Sequence, residues 1–296
     1  MNSFIQQFQT NLESKKKMAV NSVSAYIHDV IEFEEFLNTH NTNELTGVSQ
    51  ADITDYLLML KNEGKSAATV NRKMASIRAF YRYLKNADAI SNNPASDIKV
   101  PKISRKKIEY LAIEEVEELL KQPDESIKGI RDKAILETLY ATGLRVSELI
   151  EANVDDINLR MGFVTCNGEH GKARIIPLGR PAKAALEEYI YEGRDKILRE
   201  EDSSEKALFL NYYGKRLTRQ AMWKILREYA KKAGIDKKIT PQILRNSFAV
   251  HMVQNGADLK SIQELMGHED PAATQIYLSV TKNRIKDVYD STHPRA

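Results

Sequence analysis

Four short segments of this 296-residue chain carry residue types suited to chemistry. Ala141-Thr-Gly-Leu-Arg145-Val-Ser-Glu-Leu149 places an arginine at a helix start, just after a glycine that permits a sharp turn. Thr240-Pro-Gln-Ile-Leu-Arg245 does much the same further along. Leu265-Met-Gly-His268 follows, and nine residues beyond that histidine stands Tyr277, within Thr274-Gln-Ile-Tyr-Leu278. A guanidinium presents several fixed donors to an anionic oxygen and does not lose its charge. A phenol is a latent nucleophile, poor at neutral pH because its pKa is near 10. Taken singly, each segment also has a plainer reading: an arginine at a helix start is an exposed ion-pair partner, and a tyrosine in an apolar helix is core.

The elements that must position these residues are mostly helical. In the first hundred residues, Val23, Tyr26, Ile27, Val30, Phe33 and Leu37 recur at three- and four-residue steps, the buried face of an amphipathic helix. A second helix is expected from Ser49 to Glu63, stopped by Gly64, and a third from an N-cap at Ser66. From Tyr110 onward, helical patterns fall at 113–121 and 129–142, and another follows Arg145. Gly162–Cys166 and Arg174–Pro177 read as two short strands around a turn, Asn167 to Ala173. Further helices are expected at 181–192, 218–232, 241–254, 258–266 and 272–288. There is no internal repeat and no low-complexity segment. The chain therefore reads as mainly α, with a helical domain at 1–96, a linker at 97–108, and a mostly helical domain with a small antiparallel sheet at 109–296.

Charge is segregated rather than abundant. The net charge is only +3, and residues 1–100 hold eleven basic and eleven acidic side chains. Yet Lys61, Lys65, Arg72, Lys73, Arg78, Arg82 and Lys85 face Glu63 alone across the third helix and its approach. Such a stripe suits a phosphate backbone, where each neutralised phosphate releases counterions; its plain alternative is a solvated helix face. The linker adds Lys99, Lys102, Arg105, Lys106 and Lys107 with no acid between them. The DNA-binding set expected from this pattern is Lys65, Arg72, Lys73, Arg78, Arg82, Lys102, Arg105, Lys106 and Lys107.

Taken together, ATGLRVSEL, the later LR in its TPxxLR context, the GH before an acidic pair and the following TQIY resemble the tyrosine recombinases of the phage integrase family, most closely the XerC/XerD branch. The resemblance runs over nearly the whole chain. It implies a core-binding helical domain (1–96) joined by the linker to a catalytic domain (109–296), the pair closing as a two-domain clamp around duplex DNA. It also implies that Arg145 and Arg245 stabilise a scissile phosphate, that His268 hydrogen-bonds that phosphate or assists proton transfer, and that Tyr277 attacks. The product is a 3′-phosphotyrosyl link with a free 5′-hydroxyl, so bond energy is conserved and neither ATP nor another cofactor is expected. The expected partners are duplex DNA bearing a specific recombination site and, on paired DNA, a tetramer with itself or with a paralogous recombinase. Chromosome dimer resolution or movement of an element are the processes such an enzyme serves.

Two positions depart from the family. Glu169 stands where a lysine general acid is usual, and Lys172 lies three residues further along the same turn as a replacement. Gln242 stands where histidine is usual; it donates a hydrogen bond but shuttles no proton at neutral pH. These departures favour a second reading, a DNA-binding paralogue with impaired or lost cleavage. A type IB topoisomerase-like activity shares the chemistry and is the third. Remaining features narrow the class. Cys166 is the only cysteine, so no internal disulfide is expected. The first residues lack a secretory signal, and no run approaches the roughly 18 apolar residues of a spanning helix, which leads to the expectation of a cytoplasmic protein. No HExxH pair or zinc-type cluster is present, so no metal site is expected.

Overall fold

The computed structural model describes residues 2–14, 18–40, 44–100, 107–168, 173–198, 204–268 and 270–277, and the chain divides into two compact units, Met1–Lys106 and Lys107–Ala296. The first unit is built from α1 (Ser3–Ser14), α2 (Val20–Thr39), α3 (Gln50–Asn62) and α4 (Ala67–Asn86). The expected periodicity is realised: α2 buries Val23, Ile27, Val30, Phe33 and Leu37 along one face. Helix α1 was not anticipated, although Ile5, Phe8 and Leu12 repeat at helical spacing and bury completely. Aromatic rings fill the core, with Phe8 edge-on to Phe80 at 5.4 Å and Phe33 against Tyr56 at 5.0 Å. Ser49 and Ser66 cap α3 and α4 as their sequence positions require, each accepting a backbone N–H three residues on.

One ion network lies inside this unit. Asp29 of α2 is fully buried and accepts from Arg72, from Lys73 at 3.4 Å and from Ser76 at 2.8 Å, all on α4. Lys73 also pairs with Glu32. His28, Asp29 and Glu32 bring possible metal-ligating atoms within 4.8 Å of one another, but two side-chain cations already hold the carboxylates. After α4 the chain continues along the same unit. Ala95 and Ile98 are buried, and Arg78 donates to both of their carbonyls. Ile98, expected to belong to the linker, is therefore packed on the helical core.

The second unit contains α5 (Ile113–Lys121), α6 (Ile127–Thr142), α7 (Val146–Glu151), α8 (Arg180–Glu188), α9 (Arg194–Ile197), α10 (Arg219–Lys232), α11 (Pro241–Gln254), α12 (Leu259–Met266) and α13 (Ala272–Gln275). A π-helical turn, Tyr189–Gly193, joins α8 to α9. The sheet has three strands rather than two: β1 (Ile157–Asn158), β2 (Phe163–Asn167) and β3 (Ala173–Pro177), antiparallel in that order. The β2–β3 pairing runs from Phe163 opposite Pro177 to Asn167 opposite Ala173. Among the described residues, no helix is long and apolar enough to cross a membrane.

Gly143 ends α6 in the left-handed region, at φ 58°, and a Cβ there would lie 2.4 Å from the Phe248 ring of α11. Only glycine meets both demands, a positive φ and a close approach. This junction brings the start of α7, and with it Arg145, beside α11, which carries Arg245. Thr240 caps α11 with Pro241 at its first turn, where the missing N–H costs nothing.

Candidate active site

Helix α12 ends at Gly267, again left-handed at φ 62°, and its last carbonyls have no partner within the helix. Three consecutive carbonyls are taken by three different arginines. Arg174 Nε donates to Leu265 at 2.8 Å, Arg245 Nη2 to Met266 at 2.6 Å and Arg145 Nη2 to Gly267 at 3.0 Å. The negative end of a helix favours such cations. Arg245 also donates through Nη1 to the Gly143 carbonyl. A Cβ at position 267 would meet the Arg174 guanidinium at 2.8 Å, so a bare α-carbon lets the cluster close.

Glu148 organises the positive charges. Its carboxylate accepts from the Arg145 backbone at 2.7 Å, from Arg145 Nη1 at 2.9 Å, and from both terminal nitrogens of Arg174 at 2.9 and 2.8 Å. Burial alone would raise its pKa, but the Arg174 bonds, the Arg145 amide and both guanidinium charges together bring it down to about 2. With three guanidinium groups and one carboxylate, the cluster keeps an excess of positive charge. The Arg145 side chain is 34% exposed, whereas Arg245 is only 3% exposed. Arg145 is thus the accessible charge of the cluster and Arg245 the enclosed one. Burial and the neighbouring Arg145 lower Arg245 to about 10, which leaves it charged at neutral pH.

His268 follows Gly267 directly. Its Nε2 faces Arg245 Nη2 at 3.0 Å and its Nδ1 faces Thr274 Oγ1 at 2.8 Å. A guanidinium only donates, so Nε2 is the acceptor and a neutral ring carries its proton on Nδ1, donated to Thr274. Burial, then the charges of Arg245, Arg145 and Arg174, push His268 down to about 4. The ring is therefore neutral at neutral pH.

Tyr277 is 1% exposed and its hydroxyl donates to Asn246 Oδ1 at 3.2 Å, one residue beyond Arg245 on α11. Burial raises its pKa and Arg245 opposes that rise. The phenol is thus protonated and enclosed.

The structure brings Arg145, Arg245 and His268 together directly and links Tyr277 to them through Asn246. Gln242 is exposed on α11 and donates to the same Asn246 oxygen at 2.9 Å. Glu169 and Lys172 lie outside the described residues, as do Lys102, Arg105 and Lys106 and the helix expected beyond residue 277. The basic stripe needs a correction. Lys73 is 4% exposed and paired with Asp29 and Glu32, so it belongs to the interior of its unit rather than to a DNA-facing surface. Arg72 is about half exposed (48%) but bonded to Asp29, and Arg78 is occupied by backbone carbonyls. Lys65, Arg82 and Lys107 remain exposed. Glu148, Arg174, Asn246 and Thr274 were missed as site residues. Only Glu148 carried a signal, three residues after Arg145, the spacing of a helix-capping pair.

Residues 109–284 match the family model described as the phage integrase family, and residues 5–88 match the phage integrase N-terminal SAM-like domain. The tyrosine recombinase XerD of Oceanobacillus iheyensis is 46% identical over 293 residues, covering 99% of this chain and 98% of that protein. A tyrosine recombinase XerC from a Roseiflexus species is 41% identical over 282 residues, covering 95% and 90%. Among solved structures, XerH bound to a palindromic difH substrate superposes with a TM-score of 0.76 at 20% identity, covering 96% of this chain and 83% of that one. A λ integrase dimer bound to a core site gives 0.74 at 19% identity, covering 94% of each.

Proposed function

Since the chain belongs to the phage integrase family of tyrosine recombinases, we propose that it is a XerD-like site-specific recombinase whose nucleophile is Tyr277. Tyr277 attacks a DNA phosphodiester, forming a 3′-phosphotyrosyl bond as the 5′-oxygen leaves, and the reverse reaction on another strand completes recombination. Arg145 and Arg245 stabilise the charge that gathers on the non-bridging oxygens, the kind of preorganised electrostatics that dominates many catalysed reactions. His268 assists proton transfer, or hydrogen-bonds the same phosphate once its Nε2 carries a proton, and Lys172 protonates the leaving oxygen. The substrate is duplex DNA with a specific recombination site, and the working form is a tetramer on paired sites, as self-assembly or with a paralogue. XerD-like chromosome maintenance, the resolution of chromosome dimers, is the process this reading favours. The observation that carries the proposal is the convergence of Arg145, Arg245 and His268 on one helix end.

A second reading, a DNA-binding paralogue that does not cut, is favoured by one observation: Gln242 gives its amide to Asn246. A nicked suicide duplex carrying the cognate site separates the two. The recombinase traps a covalent adduct as wild type, and Lys172→Ala slows its formation about a hundredfold, within the usual range for proton-transfer catalysis. If wild type gives no adduct with its proper partner present, while Glu169→Lys with Gln242→His does, the non-cutting paralogue is the correct account.

A further inference from the structure

Asn246 stands at a junction of three groups. Its Oδ1 accepts from the Tyr277 hydroxyl at 3.2 Å and from Gln242 Nε2 at 2.9 Å, and its Nδ2 donates to the Glu109 carbonyl at 3.0 Å. These partners allow the carboxamide one orientation. Its nitrogen must face the carbonyl, so its oxygen faces the phenol. Tyr277 belongs to an apolar cluster with Phe248, Val250, Ile262 and Met266, and Ile108 and Tyr110 pack against the same cluster. Asn246 thus joins the beginning of the second unit to the tyrosine.

A carboxamide oxygen accepts a hydrogen bond but takes no proton at neutral pH. While this contact lasts, the hydroxyl stays protonated and turned into the protein, although its target is an exposed DNA phosphate. We infer that Asn246 is a positioning residue for Tyr277, holding the hydroxyl in its buried place until it is released for attack, with Gln242 and the Glu109 carbonyl fixing the holder. The inference rests on the assignment of Tyr277 as nucleophile. It gives Gln242 a role of its own: the residue that replaces the usual histidine orients the group that restrains the tyrosine.

The test uses the full chain at saturating concentrations of the nicked duplex, where adduct formation is first-order and separate from binding. Asn246→Ala removes the acceptor and speeds adduct formation about three- to tenfold, the worth of one net hydrogen bond. A faster variant is not what a purely structural role would produce, and its thermal midpoint establishes that it folds. An unchanged or slower rate for Asn246→Ala overturns the inference. A readout independent of cleavage accompanies this. In urea unfolding, Asn246→Ala and Tyr277→Phe each remove one end of the same bond, so their effects combine less than additively. Additive effects overturn the inference whatever the adduct rate. If the cycle shows coupling while wild type forms no adduct, the holding contact stands and the nucleophile assignment falls.

Discussion

Glu148 receives both terminal nitrogens of Arg174 on its two carboxylate oxygens, at 2.9 and 2.8 Å, and the pair lies almost out of solvent. The same carboxylate holds the backbone and side chain of Arg145. A fork-on-fork pair of this kind fixes orientation as well as charge. It turns a local helix cap into the support of the cationic cluster.

Glu148→Gln should therefore destabilise the second unit by about 3–5 kcal/mol, because removing one member of a buried pair strands the other. Urea unfolding measures this directly. A midpoint unchanged from wild type would mean that the arginines are held by the α12 carbonyls alone.

Stability should also depend on pH through His268. Its folded pKa of about 4 lies below the ordinary 6.5, so the folded state binds fewer protons than the unfolded one across that range. The stability gained from the neutral ring is complete above 6.5 and is lost as pH falls from there toward 4. Glu148, held at about 2 against an ordinary 4.5, adds a second loss at lower pH. His268→Gln should flatten the upper part of the fall and leave the lower part intact. Equal slopes for wild type and variant above pH 4.5 would remove His268 from the account.

Gly143 provides a test of how Arg145 is placed. Gly234 has a similar positive φ of 65°, but a Cβ there meets nothing within 4 Å. Gly234→Ala should cost about 1–2 kcal/mol for left-handed strain alone. Gly143→Ala adds the clash with Phe248 and should cost about 1–3 kcal/mol more. Similar costs for the two would show that α6 and α11 yield easily at their contact.

The basic face of the first unit divides into two kinds of residue. Lys65→Ala with Arg82→Ala should weaken DNA binding across sequences and flatten its salt dependence, with little change in stability. Lys73→Ala should do the reverse, lowering the unfolding midpoint because Asp29 keeps its burial and loses a cation. A salt slope that responds to Lys73 as strongly as to the exposed pair would reverse this division.

These contrasts show what was legible in the sequence. Arg145, Arg245, His268 and Tyr277 can be singled out as candidates because they stand in local strings at set spacing. The helices were found because apolar residues repeat at helical steps, as from Val23 to Leu37. Strand β1, with two residues, is too short to carry a pattern. Lys73 was misread because a charge count along α4 does not register Asp29, which reaches it from a different helix. Arg174 and Asn246 escaped for the same reason: their partners, Glu148 and Leu265 in one case and Tyr277 and Glu109 in the other, are distant in sequence and meet only in the fold.

The most direct test of the central claim is to digest the trapped protein–DNA adduct and identify by mass spectrometry the residue bearing the nucleotide. The account predicts one modified peptide, linked through the Tyr277 hydroxyl to a 3′-phosphate, and no adduct from Tyr277→Phe under conditions where that variant still binds DNA. A nucleotide on any other residue, attachment through a 5′-phosphate, or an undiminished adduct from Tyr277→Phe would contradict it.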